Sequence, residues 1–185
     1  MNRIQGPVNK NPGSKFYFYP TECCEEPKPC KCQEPHQTTF NCANVSGATS
    51  IPIINILDST PVPKTLGTVS IDLECFDKPK VKLSFSALVS FGTAIALGFT
   101  LTFRVFKRCG NVPETEIYTF DLFQGVAVAI GSTIPVNFEV CDGDFCGSDC
   151  CTYRVSVEGS SLLAAVVGTF NVTNGVLTVL ATEHC

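Results

Sequence analysis

The sequence predicts an all-β protein: a jelly-roll β-sandwich of eight or nine antiparallel strands with an extended N-terminal arm. Three observations carry that expectation. Apolar and polar residues alternate with period 2 through most of the chain after Ile51. No segment carries the apolar spacing of an amphipathic helix. Residues 1–48 show little periodicity and hold six of the twelve prolines and five of the twelve cysteines.

The strands follow in order. Ile51–Leu57 opens the body. Val69, Ile71, Leu73 and Cys75 alternate with Ser70, Asp72 and Glu74; Val81, Leu83 and Phe85 alternate with Lys82 and Ser84. Phe99, Leu101, Phe103 and Val105 interleave with Thr100, Thr102 and Arg104, and Thr115–Phe123 is a further β-rich run. Val136, Phe138 and Val140 alternate with Asn137 and Glu139, as do Tyr153, Val155 and Val157 with Arg154, Ser156 and Glu158. One apolar face per strand is the mark of half-buried antiparallel sheets. Between Gly168 and Leu180, Asn174-Gly175 separates two β-rich runs, and Asn-Gly readily adopts the positive φ angles of a type I′ turn, so a hairpin is expected there. Alternation favours a sandwich; by itself it separates jelly-roll from immunoglobulin-like connectivity poorly.

The chain therefore divides into a Pro/Cys-rich connector, 1–48, and a body, 49–185. The connector has one apolar island, Phe16-Tyr17-Phe18-Tyr19, four aromatics that are costly to leave in water and so are expected to dock, on a neighbour or on the chain's own body. A body of this size can bury a core without covalent staples, so twelve cysteines exceed what folding requires.

Composition narrows the function. Thirteen basic and seventeen acidic residues give a net charge of −4 with no basic cluster, which argues against a nucleic-acid partner. Only 16% of residues are charged, against about 25% in ordinary soluble domains, and 44% are hydrophobic, as in a protein whose surface is covered by other subunits. Two uncharged stretches, 83–103 and 159–182, are long enough to span a bilayer. Both alternate and are laced with Ser, Thr and Gly, so they are read as strands and no membrane span is expected. The N-terminus lacks the apolar region of a signal peptide.

No catalytic site and no cofactor are expected. The two histidines, His36 in the arm and His184 beside the C-terminus, have no rigid surroundings to orient them. Metal binding is a rival reading, because Cys23, Cys24, Cys30 and Cys32 and the run from Cys141 to Cys151 offer thiolates, with Asp142, Asp144 and Asp149 beside them. The spacings do not form the paired knuckles of structural zinc, nor the Asp-x-Asp-x-Asp-Gly of a calcium loop, and no metal site is assigned. Disulfides remain. Adjacent Cys23 and Cys24 do not easily pair with one another and should seek two partners. Cys141, Cys146, Cys150 and Cys151 flank a loop and are expected to be local staples; Cys75 and Cys109 are as well placed to bond within the body. Leu83 to Phe103 has no charge or proline to blunt a sheet edge, so head-to-tail edge pairing into a filament is open to it.

Val81–Phe85, Leu101–Cys109 and above all Phe138-Glu-Val-Cys-Asp-Gly-Asp-Phe-Cys-Gly-Ser-Asp-Cys-Cys-Thr-Tyr153 resemble a cysteine-rich domain family of unknown function found in spore-forming clostridia, over residues 64–185. In overall plan the chain is also similar to the endospore appendage (Ena) fibre subunits of bacilli, which are jelly-roll proteins with a flexible connector and a cysteine doublet. The resemblance implies a self-assembling helical homopolymer on the spore surface, joined by sheet augmentation, connector docking and inter-subunit disulfides. It implies Cys23 and Cys24 as the cross-linking pair, with Cys109 and then Cys185 as acceptors on a neighbour. It places the protein outside the cell after mother-cell lysis, with other spore-surface proteins as further partners. A cross-linked coat or exosporium layer protein and a soluble metal-binding β-module are the alternatives.

Overall fold

The strands of the computed structural model pair as a nested set. Innermost, β6 (Phe99–Cys109) pairs with β7 (Thr115–Gln124). Around it β5 (Pro79–Phe91) pairs with β8 (Thr133–Asp142), then β4 (Lys64–Asp72) with β9 (Cys150–Ser161). Outermost, β2 (Thr38–Val45) and β3 (Ala48–Asn55) both run antiparallel to β10 (Gly168–Glu183). Pairings of β5 with β10 and of β6 with β9 join these pairs into two layers, β2/β3–β10–β5–β8 and β4–β9–β6–β7, which a short parallel pairing of β3 with β9 at Ile53, Ile54 and Asn55 makes continuous at one corner. This wrapping is a jelly roll, and among the described residues there is no helix. The structure describes residues 17–18, 38–57, 59–74, 76, 79–92, 98–125, 129–143, 150–162 and 168–183.

Two features depart from expectation. Asn174-Gly175 is not a hairpin turn. β10 runs straight through it along β5, with a register shift between Thr173 and Val176 and Asn174 at φ 52°. The same positive φ that suits a type I′ turn also suits a bulge, and sequence does not distinguish them. The bulge matches a jog on the other side: Gly47, at φ 71°, lies between β2 and β3, so these two elements are one kinked strand lying along one bulged strand. A Cβ on Gly175 would sit 2.6 Å from Val45 Cβ, which is why a glycine occupies the bulge.

The second departure is at the connector boundary. β2 lies inside the segment expected to have no core, because Thr38-Thr-Phe-Asn-Cys-Ala-Asn-Val45 is too polar to show an apolar alternation. It still buries Thr39 and Val45 and pairs with β10 from Thr182 to Gly175. The body therefore begins by Thr38.

Odd-numbered residues of β5, β6 and β9 and even-numbered residues of β8 face the space between the sheets. Phe85, Phe103 and Phe138 meet there with ring centroids 5.0–6.2 Å apart, and Phe120 and Tyr118 of β7 close over Phe138 at 5.5 and 5.7 Å. Such aromatic pairs contribute about 0.5–1.5 kcal/mol each beyond area burial. The two uncharged stretches contribute β5, β6 and β10; among the described residues no helix is long and apolar enough to cross a membrane.

The nesting gives the sandwich two unlike ends. One end collects the end of β3, β7 and β9 and the start of β8, with Leu57, Phe123, Ile130 and Leu162 67–73% exposed. The other collects the start of β2, β5 and β9 and the end of β4, β6, β8 and β10, and here Cys109, Cys141, Cys150 and Cys151 fall.

Candidate functional site

At the cysteine end β6 and β9 run antiparallel with Cys109 directly opposite Cys151. Period 2 turns both inward, and the two sulphurs are bonded, with Cα atoms 4.1 Å apart and both residues buried. Cys109 is thus occupied within its own chain, which corrects its expected role as acceptor for a neighbour's connector. Its partner comes from the cluster expected to supply local staples.

Cys141 has the opposite orientation. It is one residue from buried Asp142 on β8, so the pleat that turns Asp142 inward turns Cys141 out, as an exposed free thiol. Cys42 on β2 is the second exposed free thiol among the described residues. The register places them on opposite borders of one sheet: Cys42 lies in a row with Thr178, Ser84 and Glu139, and Cys141 in a row with Lys82, Leu180 and Phe40. The outer borders of β4, β7 and β8 pair with no other described strand. Cys150 is half-buried opposite Asp72.

The arm supplies one described element. Tyr17–Phe18 forms β1, which pairs parallel to β2 at Thr39 and Phe40. Phe16, Tyr19, Cys23, Cys24, Cys146 and Cys185 lie outside the described residues, as do Cys75, Cys30, Cys32 and both histidines. Among the described residues no group of three or more His, Cys, Asp or Glu is placed to hold a metal.

Next to the disulfide is a polar cluster that the sequence reading missed. Lys107 of β6 and Tyr153 of β9 are register partners one inward row from Cys109 and Cys151. Across the sandwich, Lys107 Nζ is 2.8 Å from Asp142 Oδ2, and the Tyr153 hydroxyl donates to the same oxygen at 2.8 Å. The side chains of Lys107 and Asp142 are only 10% and 5% exposed. Burial first, then the nearby Asp142 charge, pushes the Tyr153 hydroxyl far above the ordinary phenol range, so it stays a proton donor. The signal was available: the series Phe99, Leu101, Phe103, Val105 continues in period 2 to Lys107, and Val136, Phe138, Val140 continues to Asp142. A lysine and an aspartate extend two core-facing rows.

The outer face of the β4–β9–β6–β7 sheet is a ladder of charge. Arg104 bridges Glu116 and Glu158, each at 3.0 Å, and Arg154 binds Glu114 while lying 4.2 Å above the Phe106 ring. The Arg154 guanidinium holds the Glu114 carboxyl below the usual range; a hydrogen bond from Thr119, and then Arg104, do the same for Glu116. Such exposed pairs contribute little to stability individually.

An all-β jelly roll with a cross-strand disulfide is compatible with a structural subunit. The chain belongs to the family described as domain of unknown function DUF4489, whose model matches residues 36–182. No curated protein matches the chain. Among solved structures it is similar to that of infectious bursal disease virus, Gt strain, with a TM-score of 0.52 and 10% identity over 89% of this chain. A mutant VP2 protein of the same virus, in derived T=1 particles, is similar to the same degree. This chain spans 40% of the length of each, and at that identity the likeness concerns the fold.

Proposed function

We propose that this protein is the self-assembling subunit of a disulfide-stabilised fibre on the spore surface, an endospore appendage. The observation that carries the reading is the unlike ends of the sandwich. Apolar side chains are exposed at one end, while the disulfide and the start of the body are at the other. Two unlike ends favour a head-to-tail contact, and a heterologous contact that does not close yields a filament. The unpaired outer borders of β7 and β8 support sheet augmentation between subunits. The family match and the jelly roll are compatible with a structural, non-enzymatic subunit. With Cys109 bonded to Cys151, the exposed thiols Cys42 and Cys141 become the acceptors for Cys23 and Cys24. Release by mother-cell lysis explains how a chain rich in cysteine oxidises late.

Negative-stain microscopy of the purified, air-oxidised chain tests this. Regular fibres whose resistance to heated detergent disappears with reductant are expected, and Cys42→Ser with Cys141→Ser should remove that resistance. Amorphous sheets would favour a coat-layer protein instead. Monomers with stoichiometric zinc and free thiols would favour a metal-binding module.

A further inference from the structure

Lys107, Asp142 and Tyr153 form a reactive geometry as well as an ion pair. The amine nitrogen and the carboxyl oxygen are 2.8 Å apart, both groups are about nine-tenths buried or more, and the adjacent inward row is the buried Cys109–Cys151 disulfide. We propose that Lys107 and Asp142 condense to an intramolecular isopeptide bond that ties β6 to β8 across the two layers.

The chemistry follows from placement. In water, an ammonium and a carboxylate do not condense, because both are stabilised as ions. Burial strips the hydration that stabilises both ions, and the step that condensation requires is transfer of one proton from Nζ to the carboxyl oxygen along the 2.8 Å contact, which leaves an amine beside an acid. Both β-strands are held rigidly in sheets, so the amine cannot diffuse away, and fixed proximity of this kind corresponds to effective molarities of about 10⁵–10⁸ M. Nζ attacks Asp142 Cγ. The hydroxyl of Tyr153, donating to Oδ2, stabilises the charge that develops on that oxygen in the tetrahedral intermediate. The Cγ–Oδ1 bond then breaks. Of the three ammonium protons one stays on the amide nitrogen and two leave with the oxygen as water. Nothing is oxidised or reduced, and no other reactant is needed.

The position is informative. Strands β6 and β8 belong to different layers and share no backbone hydrogen bonds, so the sandwich is held together there by side chains alone. An amide at this point, one row from the Cys109–Cys151 bond, gives a covalent path from β8 through β6 to β9. That path survives reduction, which the disulfide does not. The inference concerns the chemistry of the folded chain and is independent of whether the chain forms fibres.

The test is the mass of the full-length chain after complete reduction and alkylation. The expected mass is lower than the sequence mass, corrected for alkylation, by one water. Trypsin should then fail to cut after Lys107 and should yield peptide 105–108 joined to peptide 109–154. Lys107→Arg, which keeps the charge, should show the full mass of its own sequence, corrected for alkylation, with no water lost. A folded wild-type chain of full sequence mass, cleaved by trypsin after Lys107, overturns the proposal. So does loss of a water that persists in Lys107→Arg.

Discussion

Cys109 and Cys151 stand directly opposite one another on β6 and β9, and their sulphurs are bonded. The bond closes a loop with a sequence separation of 42 residues, which contains β7 and β8. In the chain-entropy account, closing a loop of that length stabilises the fold by about 4 kcal/mol. Replacing both residues by Ala should therefore lower stability in urea unfolding of the unassembled chain by about 3–4 kcal/mol, with a somewhat larger m-value as the unfolded chain expands. A change below about 1 kcal/mol would mean that the sheet pairing already restrains this loop in the unfolded ensemble.

The contrast between this pair and the missed cluster shows what was legible. Strands β4, β5, β6, β8 and β9 could be read from alternation because each has one apolar face and one polar face, while β3 and β7 were legible only as β-rich runs. Cys151 stood in a crowded loop that suggested a local staple, yet it bonds Cys109, 42 residues away on β6. That partner could not be read, since cross-strand register depends on the whole nested wrap, and Cys109 and Cys151 become neighbours only after β7 and β8 have been folded out and back. β2 was illegible because each of its faces mixes one apolar residue, Phe40 or Val45, with polar or small ones. Asn174-Gly175 was legible as a positive-φ site but not as a bulge; the decision rests on β5, which accompanies β10 on both sides of it. Lys107 and Asp142 were visible as polar residues that continue apolar rows, a pattern that only gains meaning once β6 and β8 are known to face each other.

Gly175 makes a prediction of a different kind. The Cβ of an alanine there would lie 2.6 Å from Val45 Cβ and 2.9 Å from its Cγ1. Overpacking of this sort costs about 1–3 kcal/mol. Gly175→Ala should lower stability by that amount in thermal or urea unfolding. Trimming the neighbour with Val45→Ala should not restore it, because the obstructing atom is the Cβ that alanine retains. Full rescue would show that β2 and β10 can slide apart at the bulge.

The outer charge ladder predicts a small, pH-dependent term. Glu114 titrates below the ordinary carboxylate range because Arg154 binds its ionised form. A carboxyl depressed in the folded state stabilises the fold above its unfolded pKa, and that contribution is lost as the pH falls through the folded value. Glu114 and Arg154 are partly exposed, so the contribution is less than about 1 kcal/mol. Glu114→Gln should be less stable than the wild type by no more than this at neutral pH, and the two stability curves should converge once the carboxyl is protonated. A difference that is constant through the acid range would assign the loss to packing on Arg154 rather than to charge.

The last prediction concerns where the arm ends. Removing residues 1–37 leaves β2 intact; removing 1–45 deletes a strand that pairs with β10 at eight positions and buries Thr39 and Val45. The first truncation should therefore keep the cooperative unfolding of the body while giving no detergent-resistant polymer, because Cys23, Cys24 and the aromatic island are gone. The second should unfold at a lower midpoint and aggregate irregularly, since it leaves the β10 border bare along Gly175 to Thr182. Circular dichroism melts and microscopy of the two truncations separate these effects. Resistant fibres from the 38–185 chain would show that the arm is not the connector, and that the sheet borders alone hold the subunits together.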